Sequence, residues 1–230
     1  MVRINNIRIM ELLEPDFFGG VLNHNLAVVE RGPSGGLMLI DTGLPGYLET
    51  IEEYLKSWGF SIEDVSDVVV THWHHDHAGN ASEIRKLSGA KVYAHYLETS
   101  YLLDPPTYQI SYAEVTERLK VPEEDFKRTM RRINDLKYDP VIVDVTLRGG
   151  EDLAGFKVIH VPGHTPGHIA LYNGEDLVVG DAMRGIGGEP TPPLEFFSWD
   201  YELSLASFRK LSSIPAKVIV PFHGEVIQKW

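Results

Sequence analysis

The stretch Val68-Val69-Val70-Thr71-His72-Trp73-His74-His75-Asp76-His77-Ala78-Gly79 decides the fold. Val68 to Val70 are β-branched and suit a buried strand. Ala78 to Lys86 read as the start of a helix. Between them, four histidines and one aspartate fall within the six positions 72–77. A cluster on a strand-to-helix turn is held by a rigid sheet yet open to solvent, which is where the active sites of α/β proteins gather.

The residue types point to a transition metal. Imidazole nitrogen and carboxylate oxygen suit zinc, iron, nickel or manganese, and a His-rich set fits zinc most commonly. His72 and His74 are two apart, so in an extended segment they point the same way and can grip one ion. Asp76 and His77 follow where the chain turns and are better placed for a second ion beside the first. A histidine taken alone is more often packed or solvent-exposed than a ligand. A group this dense is different: without a metal its members would repel protons and disturb one another's pKa values.

The chain of 230 residues has room for one large domain or two small ones. With 43% hydrophobic and 23% charged residues it reads as an ordinary soluble globular protein. No apolar run is long enough to span a membrane, and Met1 to Asn6 lack the apolar core of a signal peptide, so the cytoplasm is the expected location. There is no cysteine, which excludes disulfides and thiolate ligands. The net charge of −12 argues against nucleic acid as a partner, because phosphate binding needs a basic face. Lys127, Arg128, Arg131 and Arg132 are spaced as the solvated face of a helix.

Outward from the cluster, Ile7 to Leu12 and Val21 to Glu30 read as strands, with turn signals at Gly19-Gly20 and from Gly32 to Gly36. Leu37 to Ile40 form a short buried strand ending in Asp41-Thr42-Gly43, and Leu48, Ile51, Leu55 and Trp58 step as an amphipathic helix. A later stretch repeats the pattern. Asp176 to Val179 form a strand ending in Gly180-Asp181, Tyr201, Leu205, Phe208 and Leu211 mark a helix, and Lys217 to Val220 a strand ending in Pro221-Phe222-His223. Two similar halves thus each deliver an Asp and a His to one edge. Between them, Val92 to His95 read as a strand and Tyr96 to about Asp139 as a helical segment (Tyr112 to Leu119, Glu123 to Leu136). Val141 to Leu147 and Phe156 to His160 return to strand, and the latter runs into Val161-Pro162-Gly163-His164-Thr165-Pro166-Gly167-His168.

The run His72-Trp73-His74-His75-Asp76-His77 matches the HxHxDH signature of the metallo-β-lactamase-fold superfamily, and the chain resembles that family in four further motifs. These are Asp41-Thr42-Gly43, the GHTPG run at Gly163 to Gly167, Asp181, and His223. Five motifs in the right order, from about Ile7 to His223, make the resemblance specific. It implies an α/β (α+β) fold in which two mixed β-sheets pack face to face with helices outside, an αββα sandwich. The whole of 1–230 is then one domain, with a helical insert at about 96–139 that caps the site. The resemblance further implies that His72, His74 and His164 bind one metal, that Asp76, His77 and His223 bind another, and that Asp181 bridges them. Asp41 hydrogen-bonds a ligand and fixes its orientation. His75, at the variable position, faces away. His168 either supports a ligand or contacts substrate, or simply packs beside the site, and His24, His95 and His160 are expected to be structural. Asn23 and Asn25 carry no assignment.

Two divalent ions, zinc expected and iron or manganese as alternatives, would lower the pKa of a bridging water to about neutral and give a hydroxide nucleophile. One ion would polarise the substrate oxygen, and Asp76 would accept and relay a proton. No Ser-centred GxSxG elbow competes with this scheme. The expected activity is hydrolysis of a small ester-like bond, a thioester as in glyoxalase II-like enzymes or a lactone. A bridging Asp181 favours this over a β-lactamase. The alternatives are a phosphodiester or β-lactam hydrolase, an iron-dependent oxidoreductase of the same fold, and a non-catalytic descendant. The expected partner is a small-molecule substrate, with no nucleic acid and no membrane; a homodimer fits this type of fold. Tyr101, Tyr108 and Tyr112 are candidates for a hydroxyl that reaches substrate from the cap.

Overall fold

The computed structural model describes residues 2–4 and 7–228, with side chains from residue 7 onward; the reading of Met1 to Asn6 concerns side chains outside the described residues. Seven strands make the first sheet in chain order: β1 (Val2–Ile4), β2 (Ile7–Phe17), β3 (Gly20–Val29), β4 (Leu37–Ile40), β5 (Val65–Val69), β6 (Lys91–His95) and β7 (Val145–Leu147). The later strands are β8 (Asp152–Leu153), β9 (Phe156–His160), β10 (Ile169–Tyr172), β11 (Asp176–Gly180), β12 (Arg184–Ile186), β13 (Glu189–Thr191), β14 (Val218–Pro221) and β15 (Ile227–Gln228). The second sheet runs β15-β14-β11-β10-β9-β8, and β12 pairs with β13 in a separate hairpin. The helices are α1 (Leu48–Ser57), α2 (His75–Ala78), α3 (Ala81–Ser88), α4 (Thr99–Leu103), α5 (Tyr112–Leu119), α6 (Glu123–Asp135) and α7 (Tyr201–Ser212). None is long and apolar enough to cross a membrane.

The period-2 alternation of the strands builds the layers. In β4, Leu37 and Leu39 pack with Ile51 and Leu55 of α1 and Ile84 of α3. Met38 and Ile40 point the other way, onto Val158, Ile169, Leu171, Val178 and Val220 of the second sheet. In β11, Leu177 and Val179 turn from that interior to meet Leu211 and Phe208 of α7. Helix, sheet, sheet and helix therefore stack as the expected αββα sandwich. The two β–α–β repeats are also present. β4 and β5 pair in parallel across α1, and β11 and β14 pair in parallel across α7.

Several boundaries differ from the sequence reading. The first hairpin is longer than Ile7 to Leu12 predicts, because β2 continues to Phe17 and pairs with β3 through a bulge beside Asp16. The helix expected over Ala78 to Lys86 is broken into α2 and α3. At the break a Cβ on Gly79 would lie 2.4 Å from the Gly43 carbonyl oxygen, so only glycine fits against that loop. Of Val141 to Leu147, only the last three residues are strand. The helices between β6 and β7 build a small core of their own. Phe126, Met130 and Ile133 of α6 and Val115 of α5 pack with Phe18 at the hairpin tip and with Phe196 and Phe197. The basic residues of α6 are largely paired: Arg128 with Asp16 and Asp125, Arg132 with Glu14, Lys127 with Glu123.

Candidate metal centre

Strand ends deliver the polar cluster. After β5 the chain runs through Val70 and Thr71 into His72 and His74, and α2 carries Asp76 and His77. The loop after β9 brings His164, β11 ends beside Asp181, and β14 ends just before His223. Three groups of side chains among the described residues are able to hold an ion: His72, His74, His164 and Asp181; His77, Asp181 and His223; and His24, Asp76 and His223. All seven predicted ligands thus come together, and Asp181 is shared by two groups. Its Oδ1 lies 3.4 Å from His77 Nε2, and its Oδ2 lies 3.4 Å from His164 Nε2 and 3.5 Å from His223 Nε2. His75 is in none of the groups; its ring packs near Tyr108 and Tyr138.

The donor set fits a metal. Ligands about 2.0–2.1 Å from a tetrahedral ion stand about 3.3–3.4 Å from one another. His74 Nδ1 and His164 Nε2 are 3.1 Å apart, and His223 Nε2 lies 3.2 Å and His77 Nε2 3.7 Å from Asp76 Oδ2. His72 Nε2, His77 Nε2 and Asp181 Oδ1 are buried without a hydrogen-bond partner, although buried polar atoms normally find one.

Outer contacts orient these atoms. Asp41 takes a left-handed backbone (φ 62°) at the end of β4. Its Oδ1 accepts from the Thr71 N–H at 2.8 Å, and its Oδ2 accepts from the Thr71 hydroxyl at 2.8 Å. His77 Nδ1 lies 2.8 Å from the same Oδ2 and donates to it, which leaves Nε2 facing the cluster. Asp41 therefore hydrogen-bonds His77 and fixes the orientation of that ring. On the other side, His223 Nδ1 donates to the Asn23 carbonyl at 2.9 Å, again freeing Nε2. Asn23 and Asn25 both donate to the Gly224 carbonyl, at 2.9 and 2.8 Å, so they fix that turn. His168 Nε2 accepts from the Asp181 N–H at 3.0 Å and thereby holds the backbone of the shared carboxylate.

The two histidine sets differ in charge. Burial holds His72 and His74 well below the usual range and His164 down to about 4, so these rings are neutral near pH 7. Burial also opposes a charge on His77, but Asp41, Asp76 and Asp181 outweigh it and raise the ring to about 10. His223 is raised likewise, burial being overcome by Asp181 and Asp76.

Sequence reasoning passes over three residues here. His24, expected to be structural, is fully buried with Nε2 3.3 Å from Glu14 and 4.0 Å from Asp76. Glu14 pairs with Arg132 of α6, so the hairpin joins the site to that helix. Glu98, just after β6, is buried and accepts from the N–H of Trp73, the residue between His72 and His74. Nothing in the spacing of Glu14 or Glu98 marks them. Alternation along β3 could have placed His24 apart from Asn23 and Asn25, and near the site they flank.

A cavity of about 250 Å³ opens over the cluster, lined by His74, Asp76, His164, Asp181 and His223 below and by Phe17, Leu22, Ile133, Leu136, Leu194 and Phe197 around them. Tyr108 and Arg184 also reach it. Of the three cap tyrosines only Tyr108 lines the cavity, stacked on Trp73 with ring centroids 5.7 Å apart. Tyr101 stacks on Trp73 with ring centroids 5.8 Å apart, and Tyr112 donates to the Val121 carbonyl.

Known proteins agree with this architecture. The chain is 27% identical over 201 residues to a "Beta-lactamase-like protein 2 homolog" of Caenorhabditis elegans, covering 86% of this chain and 55% of that protein. It is 28% identical over 164 residues to a hydroxyacylglutathione hydrolase of Pseudomonas fluorescens, covering 71% of this chain and 48% of the relative. The chain therefore spans about half the length of these two relatives. Among solved structures, a metallo-beta-lactamase family protein from Thermus thermophilus superposes with a TM-score of 0.69 at 25% identity, over 98% of this chain and 75% of that one. Residues 19–223, which hold every motif of the cluster, match the metallo-beta-lactamase superfamily, and the chain belongs to that family.

Proposed function

We propose that the chain is a hydrolase of a small ester-like substrate, a thioester or a lactone, that works with two divalent ions, zinc fitting the donors best. The observation that carries this reading is the position of Asp181, whose two oxygens face His77 on one side and His164 and His223 on the other. His72, His74 and His164 would hold one ion, Asp76, His77 and His223 the other, and Asp181 both. Bound ions would supply an ionised water at neutral pH and a Lewis acid for the acyl oxygen.

The chain's own residues do the rest. Asp76 would face the ion through Oδ2, 3.2 Å from His223 Nε2, and would use its other oxygen to take a proton from the attacking water and pass it to the leaving group. The apolar walls from the hairpin tip, α6 and the segment around Phe197 exclude water and receive an acyl chain, which supports the helices between β6 and β7 as a cap. Burial, and behind it the charge of Asp76, raises the Tyr108 hydroxyl well above its usual range, so it stays protonated and able to donate to substrate. The likeness to a hydroxyacylglutathione hydrolase, whose substrate is by its name a thioester of glutathione, supports the acyl reading.

The test is initial rates with the zinc-loaded chain on an S-acyl glutathione thioester and on an acyl-homoserine lactone. Hydrolysis of one, lost in Asp181→Ala, is the expected result. No cleavage of either by a chain that holds two ions rejects the ester reading and turns the search to phosphodiesters and β-lactams.

A further inference from the structure

The turn from His72 to His77 is gripped by two buried carboxylates. Asp41 grips it at Thr71 and His77. Glu98 grips it at Trp73, between His72 and His74. We propose that Glu98 is a positioning residue for one ion only, the one assigned to His72, His74 and His164; this rests on the ligand reading above.

The geometry of Glu98 is specific. Oε2 accepts from the Trp73 N–H at 2.9 Å. Oε1 accepts from the Thr165 hydroxyl at 2.8 Å and from the Gly167 N–H at 2.6 Å. One side chain therefore ties the segment that carries His72 and His74 to the loop that carries His164. These segments lie about ninety residues apart in sequence, and their imidazoles approach to 3.1 Å. The Tyr138 hydroxyl donates to the Trp73 carbonyl at 2.8 Å, so both polar backbone atoms of Trp73 are fixed.

The carboxylate is fully buried, and no cation among the described residues pairs with it. Burial pushes this carboxyl up to about 7, and the hydrogen bonds directed at it pull the other way, so its position is fixed by those bonds and not by a counter-ion. Here three donors converge on it. The loop is shaped around the carboxylate as well. A Cβ on Gly167 would fall 2.8 Å from Glu98 Cγ and Oε1 and 2.9 Å from His95 Nδ1, so residue 167 has room only for glycine. Among the described residues, none of His77, Asp76 and His223, assigned to the other ion, touches Glu98; their outer contacts include Asp41 on His77, the Asn23 turn on His223 and His24 beside Asp76.

The experiment titrates zinc into the metal-free chain against a chromophoric chelator, and follows cobalt(II) binding by its visible spectrum. His164→Ala and His77→Ala assign the two binding steps. Glu98→Ala is expected to weaken the step that His164→Ala abolishes by about 10–100-fold, as loss of an outer partner does. The step that His77→Ala abolishes keeps its affinity, and the cobalt spectrum changes only for the first. Glu98→Gln keeps the length but offers an NH2 to one of the two donor sets, so it falls between wild type and Glu98→Ala. Thr165→Val removes one donor, weakens the same step by a smaller factor, and carries the test where Glu98→Ala does not fold. Equal weakening of both steps, or none in either, overturns the inference while the ligand reading stands. A wild-type chain that takes up no zinc overturns both.

Discussion

Asp41 and Asp181 occupy equivalent places in two β–α–β units, yet their carboxylates serve different ends. Each follows a short buried strand, β4 or β11, whose parallel neighbour, β5 or β14, delivers a histidine. Asp181 opens into the polar cluster with Oδ1 unpartnered. Asp41 is turned aside and accepts three hydrogen bonds from Thr71 and His77. The backbone shows why. In the first unit the left-handed residue is Asp41 itself, at φ 62°; in the second it is Gly180, one position earlier, at φ 51°. Successive residues of an extended chain point to opposite sides. Moving the reversal by one residue therefore exchanges a carboxylate that faces the cavity for one that faces its neighbour's histidine. A duplicated scaffold can deliver two acids to one edge and still use one as a candidate ligand and the other as a brace.

The hardest break of this comparison is Asp181→Asn. It keeps shape but removes the charge shared by the two groups. The expected result is one ion per chain instead of two, and a loss of turnover exceeding the roughly 10–100-fold that removal of an outer partner costs. Metal content and kcat/KM on the thioester or lactone check it, and wild-type values would end the two-ion scheme. Asp41→Asn comes next, weakening the second ion alone by about 10–100-fold. It also has a proton signature. With His77 raised to about 10, the metal-free ring is charged at pH 8 and must lose its proton when zinc enters. By linkage, the raised ring stabilises the metal-free fold fully below about pH 6.5, and that contribution fades as pH rises through about 10. Asp41→Asn removes the largest of the charges that hold the proton. Calorimetry in two buffers of different ionisation enthalpy should then count fewer protons released than in wild type.

Much of this was legible in the sequence, for a physical reason. Strands of four or five residues with apolar side chains on both faces can only lie inside a layered α/β fold, and Leu37 to Ile40 and Val218 to Val220 are of that kind. A dense His/Asp run on a strand end also has few uses besides binding metal. The braces were not legible. Glu98 sits 21 residues beyond His77, the last ligand of the first motif, and meets that motif only because β6 pairs in parallel with β5. His24 gains its place through the pairing of β2 with β3 and the approach of the His223 turn to Asn23 and Asn25. Such contacts are set by tertiary packing, and no local spacing encodes them. The break between α2 and α3 belongs to the same class: Gly79 is needed because the Gly43–Pro45 backbone comes against it from another part of the chain.

Gly180→Ala asks whether the shifted reversal is what aims Asp181. A non-glycine residue in the left-handed region costs about 1–2 kcal/mol. The added Cβ would also sit 2.8 Å from His168 Nε2 and 2.9 Å from the Thr71 hydroxyl oxygen, both buried. Overpacking of that kind adds about 1–3 kcal/mol. Denaturant unfolding of the metal-free chain should register the sum. Because His168 holds the Asp181 N–H, zinc affinity should fall as well. Unchanged stability would mean that the turn tolerates a side chain and that glycine there is not what directs the carboxylate.

The gentlest test, Thr71→Val, removes one hydroxyl and keeps the volume. Thr71 and Phe222 are the equivalent residues just before His72 and His223, and they support histidines of the cluster by different means. The Phe222 ring packs on His77 with centroids 3.7 Å apart. The Thr71 hydroxyl donates to Asp41 and lies 3.1 Å from His72 Nδ1. The valine would still present its backbone N–H to Asp41, whose Oδ2 would keep its bond from His77. The loss is therefore two buried hydrogen bonds, one given to Asp41 and one taken from His72 Nδ1, about 2 kcal/mol, or a fall in Tm of about 4–8 °C for a chain of this size. Asp41 would be held at two points instead of three, so affinity for the second ion should drop by a few-fold at most, well short of Asp41→Asn. A loss as large as that of Asp41→Asn would show that the hydroxyl, through its contact with His72, braces both ions, and the separation of Asp41 from the first ion would have to be given up.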